Sequence, residues 1–397
     1  MSSPWLLDPD VVFLNHGSFG SCPEPVLAHQ NELRRTLERE PVRFFLAELE
    51  ERLDAAREAL GALVGADGED LVFVPNASFG VNSVLSSIRL GAGDEVVVTD
   101  HGYPACNNAA ERWAGERGAR VVVASVPFPI RAESDVTDAI LAALTERTKL
   151  VLVDHVTSPT GLVFPVEAVV RAIEPLGVPV LVDGAHAPGM LSLDLKKLDA
   201  TYYTGNLHKW ICAPKGAAFL HVRRSAQAGV RPLVTSHGAK STRGDRSKYR
   251  LEFDWIGTID PTAYLSVPRA IEFVRSLHED GLEGVMRDNR ALALRARSLL
   301  AARLGVDVPS PDSMIGSLAA LPIPDAAPDA CSGPFGDALQ ETLVGKHRIQ
   351  LPIFPWPRWP KRLIRVSAQR YNRLEQYERL ADALTAELAR SALSPRP

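Results

Sequence analysis

The sequence predicts an α/β protein: a large domain on a mostly parallel seven-stranded sheet, followed by a smaller α+β domain. Three observations predict it. Seven short apolar runs, rich in Val and Leu and without strict alternation, recur between residues 71 and 222, as expected of strands covered on both faces. Helical patterns lie between several of them, which gives the rhythm of right-handed strand-helix-strand units. From about residue 260 long helical segments take over, which marks a change of architecture.

In chain order, residues 1–19 are expected to pack near the functional site, residues 20–265 to form the large domain and residues 266–397 the small one. Within the large domain, AELEERLDAAREALGALVG (47–65) places Leu49, Leu53, Ala56, Leu60 and Leu63 on one helical face. The strands follow as LVFV (71–74), EVVVTD (95–100), ARVVVA (119–124), LVLVDHV (150–156), PVLVDGAH (179–186), ATYYTG (200–205) and AAFLHV (217–222). AERWAGERG and VTDAILAALTERT read as helices between them. The stretch 225–250 carries five Arg and Lys past Val234, expected to face solvent, as most charge runs do, or else to meet an acidic substrate tail. PDAAPDACSGPFG (324–336) reads as a loop. The chain then closes with a short strand at LIRVSAQ (363–369) and a helix, LEQYERLADALTAELARSAL.

Composition excludes several classes. Charged residues make up 23% and hydrophobic residues 46% of the 397, with a net charge of -4, so neither nucleic acid nor an anionic membrane is expected as a partner. Cys22, Cys106, Cys212 and Cys331 are scattered without a CxxC pair, which argues against a disulfide framework or a metal site. Reduced thiols point to a cytoplasmic protein. The N-terminus MSSPWLLDPDVVFLNHG lacks a signal pattern, and no stretch approaches the roughly 18 apolar residues of a membrane span.

In open α/β sheets ligands collect where strand C-terminal ends meet loops. The residues just after the apolar runs are NASFG, HGYPA, VTSPTG, GAHAPG and NLHKW. Together they supply an aspartate, an aromatic ring, small hydroxyl-bearing loops, a histidine and Lys209. That set suits a pyridoxal 5'-phosphate site, in which lysine holds the cofactor covalently and an acid keeps the pyridine nitrogen protonated. Each residue also has a plainer reading. Asp183 suits a turn, Asn76 and Ser78 suit helix capping, Tyr103 suits packing on the sheet, and His208 suits a strand cap.

The succession DGAHAPG, NLHKW, FDWIGTID and IRVSAQRYN resembles the class V branch of the fold type I pyridoxal 5'-phosphate enzymes. LNHGSFG, EPVRFF, HVTSPTG and LPIFPWP resemble most its isopenicillin N epimerase-like group. The resemblance runs over nearly the whole chain. It implies that Lys209 is the Schiff-base lysine and proton carrier, with Asp183 on the pyridinium nitrogen and His186 near the phenolic oxygen. Tyr103 takes the ring-stacking place. Ala77, Ser78 and His208 match phosphate-binding positions, Asn206 stands where a serine is common, and Ser158 falls near the cofactor oxygen. Thr258, in IGT, would reach the phosphate in a neighbouring subunit, which implies a homodimer with shared sites. Arg365 would grip the substrate α-carboxylate with its planar fork, although an edge-strand charge is the plainer reading. His16 and Arg43 are candidate substrate-facing residues, with structural roles as the simpler alternative.

Such a site acts at the α-carbon of an amino acid, and the outcome depends on where the proton or the leaving group goes next. The resemblance points first to an epimerase or racemase, for which a second acid/base is needed. A carbon-sulfur β-lyase on a cysteine conjugate or sulfoxide is the alternative and asks only for Lys209; transamination is a further one. Cysteine desulfuration is disfavoured, because GKHRIQLPIFPWPRWPKRLIR, leading to Arg365, has no cysteine and Cys331 lies 34 residues earlier (365 minus 331). A nicotinamide site would want GxGxxG after the first strand, which VPNASFG is not.

Overall fold

The computed structural model describes residues 3–327 and 335–393. Its larger sheet has seven strands: β1 (Leu71–Val74), β2 (Glu95–Thr99), β3 (Arg120–Ala124), β4 (Thr148–Asp154), β5 (Val180–Asp183), β6 (Tyr202–Asn206) and β7 (Ala218–Val222). They lie in the order β1-β7-β6-β5-β4-β2-β3, and β7 alone runs antiparallel to both its neighbours.

Alternate residues of the central strands feed two cores. Val97, Val151, Val153 and Val182 join one with the helices Glu24–Arg39, Leu49–Val64 and Val267–Arg275, while Val96, Val98, Leu150 and Leu181 join the other with Ala77–Ser87 and Pro104–Gly115. Because side chains alternate across a strand, unbroken Val and Leu runs are what a sheet covered on both faces needs. β3 is the exception to that expectation. It pairs with β2 only, and Val123 is 55% exposed. At this edge of the sheet the two covering layers reach Val121 and Val122 only in part, so the apolar run there is not evidence of full burial.

The helix expected over 47–65 is Leu49–Val64, entered from a π-helical turn at Phe44–Glu48 and ended by Gly65 at φ 64. That left-handed conformation is natural for glycine after a last helical turn. Leu49, Leu53, Ala56 and Leu60 are buried and Leu63 packs at the rim.

The second sheet is antiparallel, with β8 (Leu318–Ile323), β9 (Ile353–Pro355) and β10 (Arg362–Ser367) in the order β9-β10-β8. The helices Gly281–Leu304 and Leu374–Leu393 share its core. Val12–Phe13 pairs in parallel with Ile349–Gln350, which draws Leu14 into the same core. Sequence patterning shows β10 and the last helix but not β8 or β9, each broken by proline. Of the expected loop 324–336, residues 328–334, including Cys331, lie outside the described residues. Among the described residues no helix is long and apolar enough to cross a membrane.

Candidate active site

The C-terminal ends of the parallel strands gather one cluster. Asp154 closes β4, Asp183 closes β5, and the register sets Asp154, Asp183 and Thr204 side by side. β6 runs on into the turn that carries Lys209, and the helix Ala77–Ser87 starts just past β1.

Lys209 Nζ lies 3.0 Å from His186 Nε2. Burial, with added repulsion from the Arg365 guanidinium, pulls the lysine pKa from 10.5 down to about 7 against the attraction of Asp183. Burial and the same two cations hold His186 well below its usual value, so the imidazole is neutral. Trp210 Nε1 lies 3.4 Å from His186 Nδ1, and an indole N–H only donates, so Nδ1 accepts. The ring's single proton then sits on Nε2 and points at Nζ, which receives it as a free amine. This tautomer follows from the hydrogen-bond network.

Asp183 is 2% exposed and accepts the Ala185 N–H at 3.0 Å and the Cys106 S–H at 3.1 Å. Burial raises its pKa, while these two donors and Lys209 favour the carboxylate. Tyr103 is 42% exposed beside this cluster, at the start of the helix Pro104–Gly115. Burial, Cys106 and Asp183 push its hydroxyl above 10.

At the start of Ala77–Ser87, the Asn76 side chain accepts the Phe79 N–H at 2.9 Å as an N-cap. The Ala77 N–H donates to Asn206 Oδ1 at 2.8 Å. This corrects the expected phosphate set: Ala77 and the Asn206 oxygen satisfy each other, which leaves the Asn206 amide group and half-buried Ser78 beside the helix start. His208 Nδ1 engages the Ala217 carbonyl at 3.2 Å, and burial takes its pKa to about 4, so it offers a neutral ring.

Arg365, on β10, is buried. Its Nη1 donates to the Ser158 carbonyl at 2.6 Å and Oγ at 3.2 Å, and its Nη2 to Ser18 Oγ at 3.2 Å. The guanidinium carbon stands 5.0 Å from the Phe354 ring centre. Burial lowers its pKa to about 10, which leaves it a cation, and its Nε is buried without a partner in the described chain. Ser158 therefore braces Arg365, where the sequence placed it at the cofactor oxygen.

His16 is fully buried, with Nδ1 2.8 Å from the Tyr371 hydroxyl and Nε2 3.0 Å from the Lys209 carbonyl, so it takes the structural alternative and supports the lysine turn. Arg43 is exposed and paired with Glu48 at 2.9 Å and Glu40 at 3.7 Å, which accounts for its charge on the surface. The charged stretch 225–250 meets neither solvent alone nor the site: Arg243 forks onto Glu50 at 2.6 and 2.9 Å, Arg246 onto Asp54 at 2.9 and 2.7 Å, and Arg250 pairs with Asp54 and Glu69. Thr258 lies on an exposed loop beside an apolar cleft that includes Phe45, Trp255, Ile259 and Tyr264.

Sequence reasoning missed Cys106, Asp154, Trp210 and Phe354 as site residues. Asp154 had a signal, since LVLVD ends as VLVD does, on an aspartate after a buried run. Cys106 and Phe354 had none, because only the fold sets them against Asp183 and Arg365.

The sequence model of the family described as aminotransferase class-V matches residues 22–380. Isopenicillin N epimerase of Streptomyces clavuligerus is 34% identical over 395 residues, covering 96% of each chain. A probable chloroplastic L-cysteine desulfhydrase of Arabidopsis thaliana is 31% identical, covering 95% of this chain and 83% of its own. Among solved structures, the cystine C-S lyase C-DES in complex with cysteine persulfide superposes with a TM-score of 0.78 at 20% identity, over 95% of this chain and 97% of that one. With the family matched along most of its length and the same fold in the solved relatives, the chain belongs to the class-V aminotransferase family, enzymes of the fold type I pyridoxal 5'-phosphate class.

Proposed function

We propose that Lys209 carries pyridoxal 5'-phosphate and that the enzyme removes the α-proton of a small amino acid, with β-elimination of a sulfur substituent as the outcome. The donor set fits the cofactor: a lysine held near neutrality, a buried carboxylate, a helix start bearing Ser78, and a buried guanidinium with an unused Nε–H. When bound, the cofactor supplies an electron-accepting ring. Asp183 holds negative charge where the ring nitrogen needs it, and Tyr103 covers the ring. Arg365 receives the α-carboxylate on its fork. Once the substrate amine has displaced it from the cofactor, Lys209 Nζ would take the α-proton, and the electron pair left on carbon would expel the β-sulfur as a thiolate.

The observation that carries the lyase reading is Lys209 itself: elimination needs one base, and burial holds Lys209 down at about 7. Epimerisation asks in addition for a group that returns a proton to the other face, a demand that elimination does not make. Epimerisation stays as the second reading because of the 34% identity to isopenicillin N epimerase over 96% of each chain. The test is to supply L-cysteine, cysteine S-conjugates and single-enantiomer amino acids in deuterated water. Pyruvate with sulfide or thiol supports the lyase. Deuterium at an inverted α-carbon without elimination replaces it with the epimerase.

We also propose a cytoplasmic homodimer with shared sites. The apolar cleft around the Thr258 loop, with Ile259 exposed, and the buried free thiols of Cys22, Cys106 and Cys212 support that setting. Thr258→Ala should weaken cofactor retention several-fold in equilibrium dialysis, and unchanged retention would count against sharing.

A further inference from the structure

Asp154 is a second buried acid that the mechanism above does not use. It is 4% exposed and is the register partner of Asp183, so both side chains leave the same face of adjacent parallel strands, about 4.8 Å apart at the backbone. Two carboxylates that close, shielded from water, cannot both ionise without large mutual repulsion. Their surroundings are unequal. Asp183 accepts the Ala185 N–H and the Cys106 S–H and attracts Lys209 more strongly than Asp154 does, whereas Asp154 lies near the Tyr103 backbone N–H and the negative charge of Asp183. The titratable groups around Asp154 are Asp183 on the next strand, Cys106 and Tyr103 on the helix and turn after β2, and Lys209 on the turn after β6. Burial and Asp183 drive Asp154 well above the ordinary carboxylate range.

We infer that Asp154 and Asp183 form a carboxyl pair holding one proton, seated on Asp154, so that Asp154 is a neutral positioning residue and Asp183 alone presents charge to the cofactor. The neutral carboxyl keeps an acceptor under the Tyr103 N–H and so fixes the turn that sets Tyr103 over the site. An ionised Asp154 would add a second negative charge and raise the proton affinity of the Lys209 nitrogen. This inference rests on the reading of Asp183 as the ring-nitrogen partner.

The test uses holoenzyme and two kinds of readout. In infrared difference spectra at neutral pH, wild type should show a protonated-carboxyl stretch that Asp154→Asn lacks and Asp183→Asn retains. In a pH titration of the cofactor's visible band, Asp154→Asn should keep the wild-type midpoint and cofactor affinity. Asp154→Ala, which removes the acceptor, should bind the cofactor about tenfold more weakly, a loss of about 1.4 kcal/mol. The inference fails if the stretch is absent or is lost in Asp183→Asn instead. It also fails if Asp154→Asn lowers the midpoint by about one unit, which is the mark of a lost negative charge, or if Asp154→Ala behaves as wild type. Should Asp154→Ala not fold, the Asn variant and the infrared band still decide. A wild type that takes up no cofactor yet shows the carboxyl stretch would instead sink the reading of the site and leave the carboxyl pair standing.

Discussion

At the scale of single residues, the chemistry depends on how burial retunes ordinary side chains. Lys209 at about 7 is a base and nucleophile at physiological pH, where a surface lysine would be fully charged. A group whose folded pKa is depressed loses its proton as pH rises through that value. Apoprotein should therefore gain the cofactor's visible band slowly below pH 6, faster through about 7 and at a plateau above 8, followed by stopped mixing at a series of pH values. A rate still climbing steeply at pH 10 would show an unperturbed lysine. Arg365 offers a fork and not only a charge. Arg365→Lys should lower kcat/KM by roughly 30- to 150-fold, about 2–3 kcal/mol, because lysine keeps the cation but loses the paired donors. Much of this level was legible in the sequence. Lys209, Asp183, His186 and Arg365 follow apolar runs or lie within one, and the structure brings them together. The His16 and Ser158 contacts were not legible, since they depend on a close approach between segments far apart in sequence.

At the scale of elements, strand ends and helix starts position these groups. Gly80 lets the helix Ala77–Ser87 lie against β6: a Cβ there would stand 2.3 Å from Thr204 Oγ1, beside Asp183. Gly80→Ala should therefore cost about 2 kcal/mol of stability as overpacking and weaken cofactor binding, measured by denaturant midpoint and by titration. A variant as stable and as tight as wild type would show that the contact relaxes freely. Gly20, at φ 68, plays the matching part for the N-terminal segment, whose backbone approaches the His208 carbonyl closely enough that a Cβ would collide at 2.0 Å. The strands β2, β4 and β5 were legible because burial on both faces writes itself as unbroken Val and Leu runs. β8 and β9 were not, because LAALPI and IFP are short and contain proline.

At the scale of the whole molecule, an ion network ties the 239–254 segment to the helix Leu49–Val64. Arg57, 2% exposed by side chain, forks onto Asp254 at 2.7 and 2.9 Å and reaches Asp54 at 2.7 Å. Removing one partner of a buried pair leaves an uncompensated charge, so Asp254→Asn should destabilise the protein by about 3 kcal/mol, read from urea unfolding. Opposite charges this far apart in sequence cannot be matched from composition, which is why the basic stretch read as a solvated face. The family match extends over residues 22–380, while the proposed function depends on one covalent bond, between Lys209 and the cofactor. The absorbance spectrum of purified protein reconstituted with pyridoxal 5'-phosphate, wild type against Lys209→Ala, tests it most directly. A visible band that resists dialysis in wild type and is absent from Lys209→Ala is the predicted result. The same band in Lys209→Ala, or a wild type that takes up no cofactor, would contradict the account.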